Sequence, residues 1–438
     1  MRILFFVPYA PNPIRVRPYE FVRTMLRRGH DLTLVTLWTS IAEQEDLERL
    51  AQAGARVMSQ PMPTWQSIVN SLSAVPSSAP LQSIYSWQPE LFRSLLALIQ
   101  SQTFDAIHVE HLRGSRYGLE LLRHLQPHGN GSNPRPPIVW DSVDCISHLF
   151  AQASEQSRST KGKLMTRFEL PRTRRYEGRL VHSFDHTVVT SSLDKHALVE
   201  LAEEYAAQTN SLPAATASQV AAKVDVVPNG VDLEHFSFCG PEHRHANRIV
   251  FTGKMSYHAN VTAGLHLVNE IMPAVWAQRP DAEVWLVGKD PAPELRALAE
   301  KHAGTQRVVV TGEVPAMQDY IQGAAVAVAP LLYGAGIQNK VLEAMACGAP
   351  VVASPQASQS LTARPDHDLL VAESPEQFTS AILSLLNTPQ QRAQLGRAGR
   401  QFVEEHHSWD SAVQRLETIY ANCRQAAAPE DSHLSMIR

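Results

Sequence analysis

A chain of 438 residues holds material for two or three domains, and a hydrophobic fraction of 44% is ordinary for a soluble globular protein. A net charge of −4 argues against broad nucleic-acid binding. Cys145, Cys239, Cys347 and Cys423 are far apart with no Cys-x-x-Cys, which suits a reducing cytosol better than a disulfide framework or a zinc site.

Met1 to Pro8 has too short an apolar run for a leader, so Arg2 to Val7 reads as a first strand. A helix from Tyr19 to Arg28 and a strand from Asp31 to Leu37 complete a βαβ start. The loop from Pro8 to Pro18 sets Arg15 and Arg17 at the carboxyl end of that first strand, where open α/β sheets bind ligands. Each either meets a donor or acceptor phosphate or is satisfied within a polar loop. Residues 60 to 90 are rich in Ser, Pro and Gln, with Trp65, Tyr85 and Trp87 interleaved; they read as loops with short helices, the aromatics packing locally.

The strand Phe104 to Glu110 leaves Glu110, His111 and Arg113 at its end, and the strand Pro136 to Asp141 leaves Asp141 and Asp144 at its end. A flexible surface loop, 128–137, lies between these strands. Strand ends of one sheet converge on one crevice, so a carboxylate or His111 there can take a proton from an acceptor hydroxyl. Asp141 is the catalytic candidate, with Glu110, His111 and Asp144 on the acceptor side. The competing role for Asp141 and Asp144 is capping of a helix that starts near Cys145. Asp-x-x-Asp is not a metal-binding Asp-x-Asp, and no required metal is expected.

From Lys161 to Arg179 seven basic residues face only Glu169 and Glu177. Such a segment either rests on anionic lipid headgroups or is a solvated helix face. A strand from Phe184 to Ser191, a helix from Leu193 to Tyr205 and a surface insertion from Ala206 to Ala222 follow. Asn229-Gly230 supplies a tight turn, and the first domain is expected to end at 235.

The second domain, 236–408, restarts with the strand Arg248 to Gly253. A loop carrying Lys254, Tyr257, His258 and Asn260 then leads into a helix from Thr262 to Trp276. Strands are expected at Ala282 to Gly288, Val308 to Gly312, Ala325 to Leu332 and Leu369 to Ala372, with helices at Pro293 to His302, Pro375 to Leu386, Gln390 to His406 and Trp409 to Asn422. Residues 426–438 read as a disordered tail.

The central element runs from Tyr333 to Val352. Gly334 and Gly336 let the chain turn out of a buried strand into a helix starting near Ile337, whose free N–H groups and positive dipole end form an anion site. Asn339, Lys340 and Glu343 lie three or four residues apart and reach one side of that helix. An ammonium suits a diphosphate, and a carboxylate accepts both hydroxyls of a ribose. Gly253 permits close backbone approach, and Lys254 is either a solvent-facing lysine or, with Lys340, half of a two-point diphosphate clamp.

Gly336-Ile-Gln-Asn-Lys-Val-Leu-Glu-Ala-Met-Ala-Cys-Gly-Ala-Pro-Val-Val352 resembles the donor-site signature of glycosyltransferase family 4, closest to bacterial sugar transferases of PEP-CTERM exopolysaccharide systems. Pro228-Asn-Gly-Val-Asp232, residues 251–260, Gly312-Glu-Val-Pro315 and Trp409 extend the likeness. The resemblance implies an α/β GT-B fold, two Rossmann-like doubly wound parallel-sheet domains facing a central cleft, with Trp409 to Asn422 bracing the first domain. It further implies a nucleotide diphosphate sugar as co-substrate and no cofactor. Gly312 and Val314 would lie against the base and Glu343 on the ribose, while backbone groups of Gly336, Ile337 and Gln338 meet the donor. A glycan or polyprenyl-diphosphate-linked acceptor, retention at the anomeric carbon, no nucleic-acid partner, and a cytoplasmic location at the inner face of the plasma membrane are expected with it. Many members carry an additional glutamate for the donor sugar where this chain has Ala335.

Other readings fit less well. Gly334-Ala-Gly336 mimics half a dinucleotide fingerprint but has Asn339 at the third glycine, and Gly253-Lys254 is followed by Met255 rather than the Ser or Thr of a phosphate loop. A non-catalytic nucleotide-sugar sensor or partner subunit is the alternative that Ala335 leaves open.

Overall fold

The computed structural model describes residues 1–125, 135–156, 160–209, 217–333 and 337–427. The chain divides into two compact units, one of residues 1–227 with the chain from Ala412 onward, the other of Pro228–Ser411. The expected division at 235 falls inside the second unit.

The first unit is built on a parallel sheet of seven strands, β1 (Arg2–Val7), β2 (Asp31–Trp38), β3 (Arg56–Pro61), β4 (Ala106–Glu110), β5 (Ile138–Val143), β6 (His186–Val189) and β7 (Val224–Val226), in the order β3-β2-β1-β4-β5-β6-β7. The second has β8 (His245–Thr252), β9 (Glu283–Val287), β10 (Val308–Val310), β11 (Ala324–Ala329), β12 (Val351–Ala353) and β13 (Leu370–Val371), ordered β10-β9-β8-β11-β12-β13 and again parallel. Helices cover both faces, which is why β1 and β11 read as unbroken apolar runs with no polar side. The strand order of each sheet reverses once, between β1 and β4 and between β8 and β11. Crevices at the carboxyl ends of such strand pairs are where open α/β sheets take ligands.

Several elements differ from the expectation. The first helix is Val16–Arg27, three residues earlier at its start, because Pro18 is tolerated in a first turn that lacks N–H partners anyway. Strand β3 is an edge strand with half-exposed side chains, so Arg-Val-Met-Ser-Gln-Pro shows no apolar face to read. Within 60–90, Trp87 packs on Phe92 and Tyr117 as local packing requires. Trp65 does not, and stands exposed on a helix, Thr64–Ala74.

The basic segment belongs to one helix, Thr160–Ser183, whose acids turn inward: Glu177 accepts the N–H groups of Ile146 and Ser147, and Glu169 that of Leu81. Glu177 thus caps the helix Ile146–Gln156, while Asp194 accepts the Cys145 N–H; the capping expected of Asp141 and Asp144 is done by other acids. Helix Ser192–Thr209 extends into the supposed insertion, and Ala217–Ala221 adds another turn. Residues 128–134 of the expected loop and 210–216 lie outside the described residues.

In the second unit a helical stretch begins at His258, not Thr262, and passes through a π-turn at Leu267–Ile271 before ending at Gln278. The last helix, Trp409–Ala427, runs past Asn422 and takes in two residues of the supposed tail; the remainder of that tail lies outside the described residues.

Candidate functional site

In the second unit, the site is built where β8 and β11 part. Strand β8 ends at Thr252 and Gly253 turns the chain at φ +146°, a conformation side chains resist. Space forbids a side chain too: a Cβ there would meet Asn260 Nδ2 at 2.7 Å and Lys340 Cε at 3.4 Å. Gly288, after β9, sits at φ +149°, and a Cβ there would run into the Gly253 carbonyl oxygen. Gly312, after β10, has φ +74° and an isolated bridge to Gly288. A glycine closing each of three neighbouring strands was a signal for Gly288 that the linear reading passed over.

Asn260 is the hinge of the cluster. The early helix start places it in the first turn, nearly buried, with Nδ2 donating to the Lys254 carbonyl at 3.0 Å and Oδ1 accepting from Lys340 Nζ at 3.0 Å. Lys340 Nζ also lies 3.4 Å from Gln338 Oε1 and 5.6 Å from the Phe251 ring centroid. Burial lowers the Lys340 ammonium to about 8 and raises the Glu343 carboxyl, one turn along, to about 7, each moderating the other's shift. Lys340 and Glu343 are thus brought, half-buried, to one side of the same crevice.

The helix carrying them is Asn339–Ala346, with Gln338 as an extended N-cap residue whose side chain makes no capping bond. It starts two residues later than the expected Ile337, so the free N–H groups of its first turn belong to Asn339 and Lys340. The Ile337 side chain is buried in the core. Asn339 Oδ1 accepts from Asn229 Nδ2 at 3.3 Å, and Val314 packs, partly buried, against the same core. Gly334, Ala335 and Gly336 lie outside the described residues.

Lys254 does not join Lys340. Its side chain is half exposed with the ammonium 4.0 Å from Asp290 Oδ2, and what it gives the site is its carbonyl. The sequence reading also missed Tyr333, whose hydroxyl lies 2.8 Å from His258 Nδ1 with the two rings stacked at 5.3 Å.

In the first unit, the acceptor-side candidates gather at the carboxyl ends of β1, β4 and β5 but largely bind one another. Arg17 and Asp141 are buried together, Nε donating to Oδ2 at 2.9 Å and Nη2 lying 2.8 Å from the same oxygen as an ion pair, with Nη1 on the Val227 carbonyl. The Arg17 guanidinium holds Asp141 below the usual carboxylate range against the opposing effect of burial. His108, stacked on Phe5 and lowered by burial, has Nδ1 2.8 Å from the Tyr420 hydroxyl and sets Nε2 3.5 Å from Asp141. Asp141 is thus enclosed rather than presented to a substrate.

Arg15 donates to the Ala10 carbonyl and pairs with Glu43 at 2.9 Å. His111 has φ 64°, and burial lowers its imidazole to about 3, so the ring is neutral at pH 7 and a weak base. Burial and the neighbouring Asp194 raise Asp144 to about 7. Among the described residues no group of three or more His, Cys, Asp or Glu is placed to share a metal ion.

Glu110 is buried, accepts from the Tyr9 hydroxyl at 2.9 Å through Oε1, and is raised by burial to about 8. A folded value above the unfolded one means stability is full at low pH and lost as pH rises through about 8. Glu110→Gln is therefore expected to match wild type near pH 5 and to exceed it at pH 9 by on the order of 4 kcal/mol. Thermal denaturation at both pH values measures this; a gap that does not widen with pH refutes it.

Residues 246–388 match the family Glycosyl transferases group 1. The chain is 30% identical over 208 residues to a GDP-mannose-dependent monoacylated alpha-(1-6)-phosphatidylinositol monomannoside mannosyltransferase of Corynebacterium glutamicum, covering 44% of this chain and 55% of that protein. It is 27% identical over 200 residues to a phosphatidyl-myo-inositol mannosyltransferase of Mycolicibacterium smegmatis, covering 44% and 50%. The chain spans about half the length of the curated relatives it matches. Sucrose-phosphate synthase from Thermosynechococcus elongatus superposes with a TM-score of 0.64 at 17% identity over 97% of this chain and 99% of that one. Anabaena HepE in complex with UDP-glucose gives 0.64 at 13% identity over 96% and 100%. The residues that match this family fall in the carboxyl-terminal unit, and the chain has two Rossmann-like parallel-sheet domains that match GT-B glycosyltransferase structures.

Proposed function

We propose that the protein transfers a sugar from a nucleotide diphosphate sugar to a hydroxyl of a glycan or lipid-linked acceptor in exopolysaccharide or glycolipid assembly. The bond from the anomeric carbon to the diphosphate oxygen breaks, the acceptor oxygen takes its place, and the hydroxyl proton and nucleoside diphosphate leave. The observation that carries this reading is the cluster of Gly253, Asn260, Lys340 and Glu343 at the β8/β11 crevice, where a glycine-lined approach meets a pre-placed ammonium and carboxylate. In this reading Lys340 and the first N–H groups of its helix take the charge that grows on the leaving diphosphate, Glu343 holds the ribose, and Gly312 and Val314 border the base. Retention at the anomeric carbon rests on the family resemblance, and independence from metal on the spacing of Asp141 and Asp144.

The names of the similar proteins supply the donor panel: GDP-mannose for the corynebacterial relative and UDP-glucose for the Anabaena structure. Nucleotide release from one of them, accelerated by a hydroxyl acceptor and lost in Glu343→Ala, is the expected result. A protein that binds donor and leaves it intact with every acceptor is a sensor, and the proposal then fails.

A further inference from the structure

The helix Thr64–Ala74 is built inside out. Its buried positions are Ser67 and Ala74, whereas Trp65, Ile68, Val69 and Leu72, spaced as one helical face, are 66%, 54%, 54% and 65% exposed. Val75, just after it, and Phe168, on the basic helix Thr160–Ser183, are exposed as well. The two helices join at this surface: Arg172 Nη2 donates to the Val75 carbonyl at 2.8 Å while its guanidinium lies 3.9 Å from the Phe168 ring centroid. No charged residue occurs between Arg56 and Glu90, so the apolar face is not interrupted from its own segment.

What surrounds the face is positive. Arg167 and Arg175 are exposed on the basic helix, Arg174 is paired with Glu204, and the helix's two described acids, Glu169 and Glu177, are buried in bonds to backbone N–H groups. We propose that this surface docks the protein on an anionic phospholipid membrane, Trp65, Ile68, Val69 and Leu72 entering the headgroup boundary and the arginines meeting lipid phosphates. An apolar helix face with a cationic border and no groups for specific pairing suits an interface that is apolar below and negatively charged above. Among the described residues no helix is long and apolar enough to cross a membrane, so the contact is an in-plane one. This inference does not rest on the transferase reading.

Flotation of the full chain with vesicles of phosphatidylcholine alone, or containing about one-third phosphatidylglycerol, tests it. Wild type is expected to float with the anionic vesicles and to be released by salt. Trp65→Ser/Leu72→Ser should bind at least about tenfold more weakly, and Arg167→Gln/Arg175→Gln should lose its preference for the anionic vesicles. Both pairs are exposed, so unfolding temperatures should stay at the wild-type value. The proposal is overturned if wild type ignores the anionic vesicles or if the serine variant floats as wild type does. It is equally overturned if sedimentation shows a dimer that the serine variant dissociates, since the face would then hold a second copy.

Discussion

Lys340→Ala is expected to lower kcat/KM for nucleotide release by about two to three orders of magnitude, whereas Lys254→Ala should cost less than about tenfold. The two lysines look alike in the sequence, each beside a glycine turn after a strand. In the structure Lys340 is fixed by Asn260 and Gln338 in a crevice where burial lowers its ammonium to about 8. A cation already stripped of much of its water need not be reorganised when a diphosphate arrives, which is what makes such a group effective. Lys254, half exposed beside Asp290, is screened and its position is held by little. A pH dependence should follow from the same geometry. Because kcat/KM reports groups of the free enzyme, it should fall as pH rises through about 8, where Lys340 loses its proton. Steady-state kinetics of both variants over pH 6 to 9.5 checks this; equal losses in the two variants would sink the assignment.

Asp141→Ala should destabilise the first unit by about 3 to 5 kcal/mol and lower its unfolding temperature by roughly 10 °C. The reason is the charge left behind. Arg17 is enclosed with Asp141, and without the carboxylate its guanidinium stays buried while losing that counter-charge. The Val143 N–H loses its acceptor as well. Replacing the pair together, as Arg17→Met/Asp141→Leu, should recover much of the loss because no unpaired charge remains. A catalytic Asp141 predicts the reverse pattern, a variant that unfolds at the wild-type temperature and has lost turnover. Calorimetry beside a turnover assay separates the two.

Much of this protein was legible without coordinates. Apolar runs such as Ile3 to Val7 and Ala325 to Ala329 mark buried parallel strands because neither face of such a sheet meets water there. The helix Asn339–Ala346 was legible because Val341, Leu342, Met345 and Ala346 form an apolar stripe at helical spacing opposite Lys340 and Glu343. Edge strand β3 and the helix Thr64–Ala74 were illegible for opposite reasons: one has half-wet side chains with no pattern, the other an apolar pattern on its outer face.

What the linear order could not assign is who partners whom. Arg17 and Asp141 are 124 residues apart, and as isolated residues each looks available for phosphate or proton; the register of β1, β4 and β5 brings them together and uses both. Lys254 and Lys340 are separated in the opposite way, one turned to Asp290 and the other drawn inward by Asn260. Chain patterning sets which backbone segments are buried, since burial follows from the side chains a segment carries. Charged side chains instead answer to whichever opposite charge or dipole the packed sheets deliver within a few ångströms, and that distance exists only once the chain has folded.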